Sequence, residues 1–173
     1  MKMKLKISIV CALLGTSILT YASDNQSNSI YQDSTRYAIE TSITTGGNVS
    51  VGGDVYTKNF EAGIFGGGKI SNGDSQTRLF TPGGFVGLRK FLCNTTVFAY
   101  GLDASTTFGK DSGKVIHYSY TVGPYVSLEQ IFTDHIMLAV WYNPYLYTLE
   151  KKAEVITRTH NFGAGGIGIK YLF

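Results

Sequence analysis

The chain has little of what an ordinary soluble domain carries. Charged residues make up 16% of it, against about 25% in a typical globular protein. After residue 22 no apolar run is long enough to cross a bilayer as a helix, which takes roughly 20 residues. Cysteine is nearly absent: Cys11 and Cys93 are the only two. His117, His135 and His160 are the only histidines, and they are dispersed with no metal-ligand spacing. No cofactor is implied. Prolines are limited to Pro82, Pro124 and Pro144. Glycine, by contrast, is plentiful at 21 residues, which favours strands and turns over helices.

The amino terminus has a separate character. Lys2, Lys4 and Lys6 form a basic head, Ile9 to Leu19 is mainly apolar, and Thr20-Tyr21-Ala22 offers small residues at the two cleavage positions. This predicts a secretory signal peptide over 1–22. An anchoring helix is the rival reading, but the run is short and polar SDNQSNS follows soon after. Lipidation at Cys11 needs a small residue before it, where Val10 stands. Removing the three leader lysines from 15 basic residues leaves 12, equal to the 12 acidic ones. That balance makes no case for nucleic-acid binding, which needs a clustered basic surface. Cys93 alone then remains, and a lone thiol makes no internal disulfide. It reads as an inert turn residue.

Residues 23–33 are polar and aperiodic, and read as a loose periplasmic segment. Over 34–173 strands follow at regular spacing. The expected strands are Thr35–Thr44, Asn48–Tyr56, Phe60–Ile70, Arg78–Phe91, Thr96–Phe108, Val115–Glu129, His135–Leu149 and Ile156–Phe173. Tight turns around Thr57–Asn59, Leu92–Thr95 and Gln130–Asp134 alternate with polar loops at Thr45–Gly47, Ser71–Thr77, Gly109–Lys114 and Glu150–Val155. Tight turns on the periplasmic side and polar loops outside fit two termini in the periplasm.

The last strand settles which solvent the exterior meets. Gly165, Ile167, Ile169, Tyr171 and Phe173 share one face, and Ala164, Gly166, Gly168, Lys170 and Leu172 the other. The first face is apolar and ends in two aromatics. This segment resembles the closing strand of bacterial outer-membrane β-barrels, and the resemblance implies that Tyr171 and Phe173 belong to the signal read by the barrel-assembly machinery. Extending the same alternation gives an outward set without mid-strand charge. Ile39, Val51, Ile64, Val86, Leu102, Val122, Val140 and Leu146 are among its members. Arg78 and Lys90 share that parity only at strand ends. A charge at mid-depth in lipid costs about 2–4 kcal/mol for Arg or Lys. Only a closed barrel satisfies every backbone group of a strand in lipid. A soluble barrel such as a lipocalin has the inverse pattern, apolar inside and polar outside.

The inward set holds Arg36, Glu40, Asp54, Glu61, Lys69, Arg89, Asp103, His117, Glu129, Arg158 and Lys170, together with Phe65, Phe85, Trp141 and Tyr145. Eight strands enclose just enough room for side chains, and buried charges must pair. An ion-pair network of Asp54, Glu61, Arg89, Glu129 and Lys170 is therefore expected near the periplasmic strand ends, plugging the interior. A narrow channel is the competing reading.

Two features tempt an enzymatic reading. His117-Tyr118-Ser119 puts a base and a nucleophile on one face of a strand. It is similar to part of the motif of outer-membrane lipid A deacylases, in which a Glu orients the His. That resemblance makes His117, Ser119 and Glu129 catalytic candidates. The match is partial: Tyr120 stands where the family has Asn, and Ile131 stands at the position of its acid. Pro82, Pro124 and Pro144 all fall inside expected strands, facing out. Lipid A palmitoyltransferase barrels use prolines to open lateral gaps, whereas a local bulge is the commoner cause. As a whole the chain resembles the small eight-stranded outer-membrane family that contains outer membrane protein X and the barrel of outer membrane protein A. The resemblance implies a non-enzymatic envelope protein, acting in membrane integrity or in surface contact with a host or ligand. Lys110, Asp111, Lys114, Lys151 and Lys152 are the charges expected on the outer loops, where the lysines would meet lipopolysaccharide phosphates.

Overall fold

The computed structural model describes residues 35–71, 77–111, 114–152 and 155–173. The expected leader and the segment 23–33 lie outside the described residues. Strands β1 (Arg36–Thr44), β2 (Val49–Tyr56), β3 (Phe60–Ser71), β4 (Thr77–Phe91), β5 (Thr96–Asp111), β6 (Lys114–Ile131) and β7 (Ile136–Asn143) follow one another, then β8 (Leu146–Lys152), β9 (Val155–Asn161) and β10 (Ala164–Leu172). All pairings are antiparallel. The order β5-β4-β3-β2-β1-β10-β7-β6 closes on itself through β5–β6. The result is an eight-membered barrel wall. β8 continues the line of β7, and β9 that of β10, as an extension at the end away from Arg36 and Phe173.

Burial is inverted relative to a soluble domain. Ile64 is 74% exposed and Ile169 60%, whereas Lys170 is 4% exposed and Glu129 0%. The exposed apolar side chains encircle the wall, from Tyr37 and Ile39 through Val86, Leu102 and Val122 to Ile167. A soluble monomer seldom shows so large an apolar patch. In hydrocarbon it is the favourable surface, and closure leaves the paired walls without an edge.

The walls differ in height. β1 has 9 residues and β2 has 8, while β6 has 18. The β1–β2 turn is tight, with Gly47 at φ +76° and its N–H donating to the Thr44 carbonyl. That left-handed position costs an L-residue about 1–2 kcal/mol. β9 therefore stands higher than the top of β1 and has no pairing on that side among the described residues.

Several expectations need correction. Two of the polar loops are continuations of strands: β5 runs to Asp111 with Asp111 opposite Lys114, and Lys152 lies opposite Val155. The seventh and eighth strands are each broken in two, at Pro144-Tyr145 and at Phe162-Gly163. At the first break Val126 faces Tyr142 but Val122 faces Tyr147, so the upper segment carries one extra residue. The period of two then changes phase. Leu146, expected outside, lines the interior. Arg158, expected inside, is exposed opposite Leu149. Tyr145, also expected inside, reaches the exposed His160 at the outer surface, its hydroxyl 2.6 Å from Nδ1.

The prolines explain the break. Pro124 and Pro144 occupy the gap between the β6–β7 and β6–β8 ladders, and neither has an N–H to give. Asn143 fills part of the loss by donating to the Pro124 carbonyl at 3.1 Å. Pro82 leaves a shorter gap between β4 and β5, with no change of register, and the hydroxyls of Thr81 and Thr107 meet there at 3.0 Å.

Candidate functional site

Alternation along β2, β3, β4, β6 and β10 turns Asp54, Glu61, Arg89, Glu129 and Lys170 into the lumen, and the structure brings all five together. Lys170 Nζ lies 2.8 Å from Glu129 Oε1 and 3.5 Å from Asp54 Oδ2. Arg89 donates to Glu129 Oε2 at 2.8 Å and lies 3.5 Å, through Nε, from Glu61 Oε2. Glu129 is thus held between two cations, the arrangement that a fully buried carboxylate requires.

Sequence reasoning missed three members. Glu40 lies 3.4 Å from Lys170 Nζ and is its direct cross-strand partner on β1. Tyr56 donates to Asp54 at 2.6 Å, and Arg89 sits 4.4 Å from the centre of its ring. Tyr125 donates to Glu61. The register of the closing strand against β1 carries the signal for Glu40. The tyrosines carry none, because aromatic residues in strands look the same whether they serve packing or a network. Beside the network, toward Arg36 and Phe173, Ala38, Val97, Ile131, Met137 and Leu172 pack with Tyr56 as a small apolar cluster.

On the other side of the network lies a cavity of about 430 Å³ that extends to the β1–β2 turn. Glu40, Asp54, Glu61 and Lys170 line its base, and Phe65, Phe85, Tyr125 and Trp141 line its sides. Asp103, also on the wall, accepts from Asn143 Nδ2 at 2.7 Å.

Two of the catalytic candidates stand far apart. Ser119 and Glu129 stand ten residues apart on one strand, a separation of roughly 33 Å at about 3.3 Å per residue. Glu129 is committed to Arg89 and Lys170. Ser119 is buried opposite Glu150. The β6–β8 ladder shifts register between Ile116 and Tyr118. The His117 side chain lies outside the described residues. Among the described residues no group of His, Cys, Asp and Glu is arranged to hold a metal.

The expected surface charges sit on strands rather than on loops. Lys110 is exposed on β5 opposite Arg78. Lys151 lies on β8 with its ammonium 6.0 Å from the centre of the Tyr118 ring. The backbones of Asp111, Lys114 and Lys152 belong to β5, β6 and β8, and their side chains are outside the described residues. At the closing strand Tyr171 and Phe173 are exposed and meet edge to face with centroids 5.2 Å apart. The Phe173 N–H donates to the Tyr37 carbonyl at 2.9 Å, tying the last residue to β1. Cys93 is half-buried in the β4–β5 turn. Burial pushes its thiol up, but hydrogen bonds with Thr96 and Thr95 outweigh this and hold it below the usual range.

No sequence family and no curated protein matches the chain. Among solved structures it is similar to Neisserial surface protein A, with a TM-score of 0.55 at 13% identity, covering 80% of this chain and 94% of that one. The outer membrane protein OprG from Pseudomonas aeruginosa also aligns, with a TM-score of 0.45 at 12% identity, over 83% of this chain and 97% of that one. Closed topology, inverted burial and the first of these likenesses agree: the chain has the fold of a small eight-stranded outer-membrane β-barrel.

Proposed function

We propose that the protein is a non-enzymatic resident of the outer membrane whose ion network closes the barrel near its termini, so that it acts in envelope integrity or surface contact rather than in conduction or catalysis. The observation that carries this is the chain of contacts Asp54–Lys170–Glu129–Arg89–Glu61, which crosses the lumen between β2, β10, β6, β4 and β3. Six ionised or ionisable side chains, Glu40 included, meet across the lumen at this level, and an eight-stranded barrel is narrow enough for side chains to close it. The apolar cluster beside them adds a second layer.

Outer-leaflet lipid is the natural partner for the exterior. Lys110 and Arg78 are cross-strand neighbours on the outward face, and Lys151 lies diagonal to Arg158 across the β8–β9 pair. Such paired cations suit the phosphates of lipopolysaccharide. In the reading of the closing strand, Tyr171 and Phe173 present the assembly signal. Planar-bilayer recording tests closure. The wild-type protein is expected to give no discrete steps, and the Glu129→Ala/Arg89→Ala double variant is expected to give small ones. Wild-type steps of regular size would overturn the proposal. Mass spectrometry of lipid A from cells with and without the protein tests the enzymatic alternative, and altered acylation would establish it.

A further inference from the structure

The cavity beyond the ion network has the chemistry of a ligand site. Its lining carries four carboxyl groups, Glu40, Asp54, Glu61 and Asp103, against the single ammonium of Lys170. Lys170 already contacts Glu129, Asp54 and Glu40. Asp103 has only a neutral partner, Asn143, and no cation pairs with it among the described residues. Glu61 is 1% exposed, and its Oε2, at 3.5 Å from Arg89 Nε, accepts no hydrogen bond. A half-buried carboxylate without a countercharge is costly, and a cation in the cavity would relieve that cost.

The walls say what kind of cation. Phe85 is the cross-strand neighbour of Asp103 and stacks edge to face on Tyr125 with centroids 5.8 Å apart. Trp141 lines the same space. Ring faces attract ammonium groups, and more so where water is scarce. They also offer apolar surface that a hydrated inorganic ion does not use. The volume of about 430 Å³ lies in the ordinary range for small-molecule sites. We infer that this cavity binds a compact organic ammonium ion, with Asp103 as its counter-ion and Phe85 and Trp141 against its apolar body.

Trp141 is the only tryptophan in the chain and lines the cavity, so it reports occupancy directly. The mature protein refolded into phosphatidylcholine vesicles is titrated with benzylamine at neutral pH, where the amine is charged, while Trp141 fluorescence is followed. A saturable change is expected, at least tenfold weaker with benzyl alcohol or benzoate, and at least tenfold weaker in Asp103→Asn. Circular dichroism of Asp103→Asn verifies that the variant is folded. Should that variant fail to fold, the ligand series on the wild-type protein decides alone. Equal response to benzyl alcohol would overturn the inference, as would an equal response to magnesium or undiminished binding by folded Asp103→Asn. Bilayer recordings are independent of this titration, so conduction and cation binding fail or succeed separately.

Discussion

Glu129 is the residue on which the interior turns. It has no exposed surface, and each of its oxygens meets a different cation. Removing it leaves Arg89 and Lys170 facing each other across a buried space. Breaking a buried pair costs about 3–5 kcal/mol. Glu129→Ala should lower stability by that order in urea unfolding from vesicles, and Glu129→Gln by less, because the amide oxygen still accepts. On the outer surface the rule reverses. Ile64→Arg puts a charge against hydrocarbon and should cost about 2–4 kcal/mol in the same assay. The mirrored pair of penalties would identify lipid as the exterior solvent. At the candidate nucleophile, Ser119→Ala should leave the lipid A mass spectrum unchanged.

Strands were legible wherever alternation ran unbroken. In β1–β4 and β10, a period of two read from Ile39 or Ile169 places each side chain on the correct face. The pattern loses phase at bulges. One additional residue at Pro144-Tyr145 moves Leu146 inside, and the matching break at Phe162-Gly163 moves Arg158 outside. Nothing in the local hydrophobicity marks the first, since Leu146 suits either solvent. The prolines did carry a signal, because they lack the donor a ladder needs. What they could not disclose is the side chain that compensates, Asn143. The inward charges, Glu40 included, were readable by parity, whereas the membership of Glu40 and the two tyrosines in the network depended on cross-strand register, which a single sequence does not reveal. Hydrogen–deuterium exchange gives an element-scale check. The amides of Tyr145 and Leu146 should exchange faster than those of Met137–Val140, which are paired on both sides. Equal protection would mean that the ladder is continuous.

At the scale of the whole molecule, the slanted rim decides how the barrel sits. A transmembrane strand takes about 9–11 residues to traverse the hydrocarbon. β1 and β2, with 9 and 8, are at or below that limit, while the far wall exceeds it. Lipid beside the short wall must therefore thin to meet it, at a modest cost per ångström of mismatch, and lipid beside β6 need not. The edge of β9 that has no pairing among the described residues must remain in the aqueous layer, which caps immersion at about the level of Thr44. One side of the barrel is thus a local dent in the bilayer, and the protein should concentrate where the membrane is already thin.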